Sequence, residues 1–191
     1  LVPHVYVERS TCSIIAGIDE TISEFRGYFK EYGIDYVLIE TGCKGHCDCD
    51  PAVSIQLPGR AALSFRNVYF NKVSLILDSI LNNILPEKSL ILGQYPHADL
   101  NSWPDIPYID ELPFFRNQKR NLTKLSGIIE PNSIESFVNH GGYAAFAKIM
   151  TSKTPSDVCE IIESSGLRGR GGGGFYTGLK WRMALDNSAS K

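Results

Sequence analysis

The sequence predicts an α/β fold: a small sheet flanked by helices over residues 1–85, a proline-rich connector over 86–113, and a mainly helical region over 114–191. Three observations carry this reading. Short apolar runs alternate with helix-period stretches as far as Ile84. Pro86, Pro96, Pro104, Pro107 and Pro113 then punctuate a stretch of weak periodicity. Beyond Phe114 the pattern turns helical, with breaks near Gly127, Gly141-Gly142 and Gly166.

The elements follow in order. Val5-Tyr6-Val7 reads as a short strand, and Ile18, Ile22, Phe25, Phe29 and Tyr32 share one face of a helix started at Asp19 or Thr21 and stopped at Gly33. Tyr36-Val37-Leu38-Ile39 is a second strand, followed by a polar loop from Thr41 to Pro51. Val53–Leu57 and Ala62–Phe65 are two more strands around a turn at Pro58-Gly59. Val73, Ile76, Leu77, Ile80, Leu81 and Ile84 form a buried helical stripe that Pro86 ends. Proline fixes φ and removes a donor, so the 86–113 stretch reads as an ordered connector at a domain boundary. Thr154-Pro155-Ser156-Asp157 is a helix start, with a cap, a proline at the first position and an acid in the first turn; Val158, Ile161 and Ile162 then face inward.

A chain of 191 residues with 43% hydrophobic residues holds one medium domain or two small ones. Its net charge of −2, from 19 basic and 21 acidic residues, excludes a general attraction to nucleic acid or anionic lipid. No apolar run reaches bilayer length and the first residues lack a secretory pattern, so the expected location is cytoplasmic or matrix-side, without membrane insertion. The five cysteines are an odd number, and three fall in Cys43-Lys44-Gly45-His46-Cys47-Asp48-Cys49, which suggests metal or redox chemistry over a disulfide framework.

Thiolates four apart can face one space while Gly45 lets the backbone fold around a metal. A two-iron centre needs four protein ligands, and Cys12, Cys43, Cys47 and Cys49 supply that number. Reduced free thiols, or a structural zinc held with His46, remain open alternatives. A thiol oxidoreductase fits poorly, because the Cys-x2-Cys opening of a helix is missing. Cys159 lies among apolar helix neighbours and reads as a buried core residue.

Seven glycines lie between Gly166 and Gly178, interrupted by Arg168 and Arg170. Ordering so many glycines costs backbone freedom, and their physical use is to let backbone N–H groups approach an anion. Lys180, near the start of a following helix, adds a point charge for a phosphate. The segment is neither a dinucleotide fingerprint nor a P-loop. Phe175, Leu179 and Trp181 argue against a flexible linker, and a single Arg-Gly unit in a slightly acidic chain argues against an RNA-binding tract. His4, His46, His97 and His140 show no catalytic arrangement, and no residue reads as a proton-transferring catalyst.

Several segments resemble a known family. Pro113-Phe114-Phe115 with Gln118-Lys119-Arg120, then Gly141-Gly142-Tyr143, and above all Leu167–Trp181 resemble the start of the flavoprotein subunit of NADH-oxidising complexes, found in respiratory complex I and in NAD-linked hydrogenases and formate dehydrogenases. The resemblance implies that Gly169, Arg170, Gly171, Gly172, Gly173 and Lys180 hold the phosphate side of FMN in a site that this chain begins and does not finish. It also implies NAD(H) as substrate of the intact subunit and other iron–sulfur subunits as partners. Gly174 and Tyr176 stand where the family usually has alanine and proline.

The N-terminal third resembles the thioredoxin-like [2Fe-2S] ferredoxin domain fused ahead of this subunit in bacterial bifurcating hydrogenases. Glu40-Thr41-Gly42-Cys43, Gly45, Cys47 and Pro51 match its second cysteine pair. Glu8 and Ser13 occupy the positions of its first pair, with Cys12 beside the latter. The whole therefore reads as a thioredoxin-like domain followed by the helical start of an FMN-binding domain. The function implied is electron transfer from NADH through FMN to iron–sulfur centres, and the alternative is a cluster-free docking module of such a complex.

Overall fold

The computed structural model describes residues 2–187, and the chain divides into two compact units, Leu1–Phe137 and Val138–Lys191.

The first unit is built on a five-stranded sheet. Strand β1 (His4–Glu8) puts Val5 and Val7 into the core by simple alternation. A short helix, α1 (Thr11–Ile15), follows, with Ser10 and Ser13 forming a reciprocal cap. Helix α2 (Ile18–Glu31) starts after Gly17, whose φ of 93° needs no Cβ penalty, and buries Ile18, Ile22, Phe25 and Phe29. Thr21 belongs to its interior: its hydroxyl donates to Val68 O at 2.7 Å. Tyr32 leaves the stripe, because it is the residue that ends the helix before Gly33, and it is exposed.

Strand β2 (Val37–Thr41) runs parallel to β1, while β3 (Val53–Gln56) and β4 (Leu63–Phe65) add antiparallel on the other side. Helix α3 (Val73–Leu81) buries Val73, Ile76, Leu77 and Ile80. It stops at Asn82, and Asn83 turns the chain with φ 58°, so Ile84 is exposed and Pro86 is not the stop. Phe25, Phe29, Phe65, Leu63 and the valines of β1 meet these helices in one core. Each large apolar side chain so buried contributes about 1.5–3 kcal/mol. The expected small sheet flanked by helices is present, with strand order β2-β1-β3-β4-β5.

The last of those strands was not expected. β5 (Ile91–Gln94) lies inside the proline-rich stretch and pairs antiparallel with β4. The prolines flank it, leaving its own donors free to pair. Gln94, 2% exposed, then ties the rest down: its amide donates to Trp103 O at 2.9 Å and Ile106 O at 2.7 Å, and its oxygen accepts from Trp103 N at 2.7 Å. The ordered connector thus packs into the first unit's core through Trp103, Ile106 and Ile109.

Helix α4 (Ile134–Asn139) spans the boundary between the units. The second unit holds α5 (Ala144–Ser152), α6 (Pro155–Ser164) and α7 (Thr177–Leu185). The cap at Thr154 forms as expected, with Asp157 N–H donating to its hydroxyl and Asp157 accepting from Thr154 N–H. On α6, Cys159 is buried and Ile162 half-buried, but Ile161 is exposed. Gly178 lets α7 meet α6: a Cβ there would lie 2.5 Å from Glu163 N. No helix among the described residues is long and apolar enough to cross a membrane.

Candidate functional site

The cysteine loop leaves β2 and closes in a single 3-10 turn, Cys47–Cys49. In such a turn residues three apart eclipse, so the geometry sorts the side chains into two sets. Cys47 and Asp50 fall on one side, where they meet Cys12 from α1; the three donor atoms lie within 4.8 Å of one another. His46 and Cys49 fall on the other side and gather with Asp48. Cys49 Sγ is 3.4 Å from His46 Nδ1, and His46 Nε2 is 3.2 Å from Asp48. Cys43 stays near the first set as a hydrogen-bond partner of Cys47, its sulfur accepting from Gly45 N–H at 3.1 Å. Of the four cysteines expected as ligands, the structure therefore brings Cys12, Cys43 and Cys47 together and sets Cys49 apart, fully buried.

Cys43, Cys47 and Cys49 are each held above the ordinary thiol range, not below it. Burial pushes Cys43 above the ordinary thiol range, the hydrogen bond to Cys12 followed by burial does the same to Cys47, and burial pushes Cys49 up to about 11. Thiol–disulfide chemistry favours a depressed pKa, so the thiol oxidoreductase reading has no support in this loop.

Glu8 makes the loop's strongest polar contact. At the end of β1, its carboxylate accepts from Lys44 N–H at 2.9 Å and from Lys44 Nζ at 2.8 Å, with both side chains about nine-tenths buried. Burial works against the Lys44 charge, but neighbouring Tyr95 and Glu8 outweigh it and hold the group above the ordinary lysine range. The residues that follow β5 strap over this pair. Arg120 Nη2 donates to Lys44 O at 2.8 Å, Gly127 leaves no room for a Cβ above the Lys44 stem, and His46 stacks on Phe114 at 4.2 Å. Sequence reasoning missed Lys44 and Asp50; the available signals were a charge ending an apolar strand pattern at Glu8 and an acid directly before Pro51.

The glycine segment forms a closed loop in the second unit. Arg168 and Tyr176 make an antiparallel bridge, with Gly169 N–H donating to Phe175 O at 2.8 Å and Thr177 N–H to Leu167 O at 2.9 Å. Arg168 clamps the base: its guanidinium lies 3.9 Å from the Tyr176 ring centroid, donates to Gly174 O at 3.3 Å and also bonds the Tyr176 hydroxyl. Tyr176 thus stiffens the loop through this clamp, where proline would do so through its fixed φ. Inside the loop Gly172 has φ 110° and Gly174 φ 60°. At Gly171, Gly172 and Gly173 a Cβ would meet nothing within 4 Å, and their N–H groups donate to no acceptor among the described residues.

Beside this rim lies an open hollow of about 540 Å³, lined by Ser165, Gly166, Leu167, Arg168, Gly169, Arg170 and Gly174. Arg170 makes no ion pair among the described residues. Lys180 is exposed on the first turn of α7 and does not line the hollow. Chemically, the rim offers backbone donors that have no acceptor among the described residues, and Arg168 and Arg170 line the hollow beside it, which suits an anion.

No protein-family profile matches the chain. Part of it is similar in sequence to hydrogenase and quinone-oxidoreductase subunits: it is 45% identical over 76 residues to the NADP-reducing hydrogenase subunit HndC of Solidesulfovibrio fructosivorans, covering 40% of this chain and 15% of that protein. Over 88 residues it is 34% identical to an NADH-quinone oxidoreductase subunit of Aquifex aeolicus, covering 46% of this chain and 20% of that protein. The chain thus spans a fifth or less of these relatives. Among solved structures, a thioredoxin-like [2Fe-2S] ferredoxin from Aquifex aeolicus superposes with a TM-score of 0.42 at 19% identity, covering 52% of this chain and 98% of that one.

Proposed function

We propose that this chain is part of an NADH-oxidising flavoprotein subunit, passing electrons from NADH through FMN to iron–sulfur centres of partner subunits in a multisubunit oxidoreductase. The observation that carries the reading is the glycine loop. It is a turn closed by the Arg168–Tyr176 clamp, whose inner N–H groups have no acceptor among the described residues and whose missing Cβ atoms leave an open cradle. In this role Gly171, Gly172 and Gly173 offer backbone donors to the FMN phosphate, Gly169 closes the base of the loop with its own N–H on Phe175 O, Arg170 supplies charge beside them, and Lys180 is a further cation on α7, outside the hollow. When bound, FMN supplies the exchange between hydride and single-electron chemistry. The sequence similarity to hydrogenase and quinone-reductase subunits supports the same reading.

The sheet unit has a second reading, as a docking element without a two-iron cluster, and one observation favours it. The position of the first cluster cysteine in the resembled domain is Glu8, and its carboxylate is committed to Lys44. With Cys49 turned away as well, four thiolates do not surround one point. The full natural polypeptide tests the main reading: one FMN per chain and NADH-dependent reduction of ferricyanide are expected. Protein that binds no FMN and oxidises no NADH contradicts it.

A further inference from the structure

We propose that Cys12, Cys47 and Asp50 form a mononuclear metal site for a zinc-class divalent cation, with Cys43 as its fourth ligand. This inference stands apart from the flavin reading. Its first support is the convergence of the three donors within 4.8 Å, brought about by the 3-10 turn that stacks Asp50 on Cys47 and by α1, which presents Cys12. Its second is independent. Asp50 is 7% exposed, its carboxylate takes a hydrogen bond from Ala52 N–H, and yet its buried Oδ2 has no partner among the described residues. An orphaned buried carboxylate oxygen is costly, and a cation shared with two thiolates would satisfy it.

The neighbouring set makes the contrast. His46, Asp48 and Cys49 already contact one another, and His46 is packed on Phe114, so those donors have partners without an ion. Cys43 is a hydrogen-bond partner of Cys47, and its sulfur already accepts an N–H, an arrangement compatible with a thiolate. Three sulfurs and one oxygen suit zinc, which takes tetrahedral mixtures of cysteine and carboxylate. Bond lengths of about 2.3 Å to sulfur and about 2.0–2.2 Å to oxygen require the Cys12, Cys47 and Asp50 donors to draw in by roughly 1 Å from their present limit, with Cys43, outside that set, following Cys47. Cys12 and Cys47 are exposed, so the ion has a path from solvent.

Cobalt(II) titration of the full natural polypeptide tests the site. One equivalent is expected to bind with intense tetrahedral d–d bands and thiolate-to-cobalt charge transfer, and zinc is expected to displace it. Asp50→Asn and Cys12→Ser should weaken binding by roughly 100-fold, since even supporting groups outside the ligand shell cost about 10–100-fold. Cys49→Ser should leave the spectrum and affinity unchanged, and circular dichroism identifies any variant that has merely unfolded; for such a variant, cadmium-113 resonance of the unaltered protein reports the sulfur and oxygen donors directly. The proposal is overturned if folded Asp50→Asn binds cobalt as tightly as the parent, if cadmium reports no mixed sulfur–oxygen site, or if the purified protein holds two irons and two sulfides at these cysteines.

Discussion

The two units of this chain use apolar residues in opposite ways. In the first, the phenylalanines of α2, the valines of β1 and Phe65 of β4 are buried around one sheet. In the second, among the described residues from Val138 onward only Cys159 and Gly178 are buried, while Phe146, Met150, Phe175, Trp181 and Met183 are each about half exposed or more. The sheet unit therefore carries its own hydrophobic stabilisation. The helical unit holds its shape through caps, the Gly178 contact and the Arg168–Tyr176 clamp, and presents exposed apolar side chains. Stability resides in one unit, and the proposed flavin contact in the other.

The sharpest way to break this contrast is to truncate one large side chain in each unit. Phe65→Ala should cost about 3–5 kcal/mol in chemical denaturation. Trp181→Ala should stay within about 0.5 kcal/mol, as for other exposed positions. Equal losses would show that the helical unit has a core of its own. The ion pairs offer a comparable test. Lys44→Met leaves the buried Glu8 carboxylate without its cation, with only the backbone N–H of residue 44 to bond it, and should cost about 3–5 kcal/mol in urea melts. Arg182→Met, which removes the more exposed pair with Glu163, should change the midpoint little.

A smaller effect separates polar from apolar contributions within the sheet unit. The Tyr28 hydroxyl donates to Asp78 at 2.6 Å, and burial together with Asp78 raises its pKa above the ordinary tyrosine value. Tyr28→Phe should cost about 1 kcal/mol near neutral pH. Because the folded pKa lies above the unfolded one, the tyrosine's advantage is fully present below about pH 10 and declines as pH rises past that value. The difference between parent and variant, followed from about pH 8 to about pH 11, should shrink; a constant difference would remove the Asp78 contact from the account.

Much of the sheet unit was legible in sequence because periodicity reports burial directly. Val5 and Val7, the stripe of α2 and the stripe of α3 all stand where alternation and helical spacing put them. β5 was hidden because its prolines lie outside the four residues that pair, and because Gln94 reads as a surface residue until its three hydrogen bonds are seen. The cysteine loop was only half legible: spacing names the candidates, but the 3-10 turn decides which ones meet. Asp50 gave no signal stronger than its place before proline. In the glycine segment composition marked the cradle, whereas the clamp by Arg168 required Tyr176 to fold back eight residues along the chain.

In the proposed function the glycine loop holds a phosphate through its bare backbone. Gly171 and Gly173 allow the most direct measurement, since neither lies at positive φ and a side chain at either position meets nothing within 4 Å. Gly171→Val and Gly173→Val in the full natural polypeptide should therefore leave folding and thermal unfolding of the apoprotein unchanged, yet fill the cradle and lower FMN affinity by a factor of roughly 100, about 2.7 kcal/mol. Retention of FMN at parental affinity by both folded variants would contradict the account.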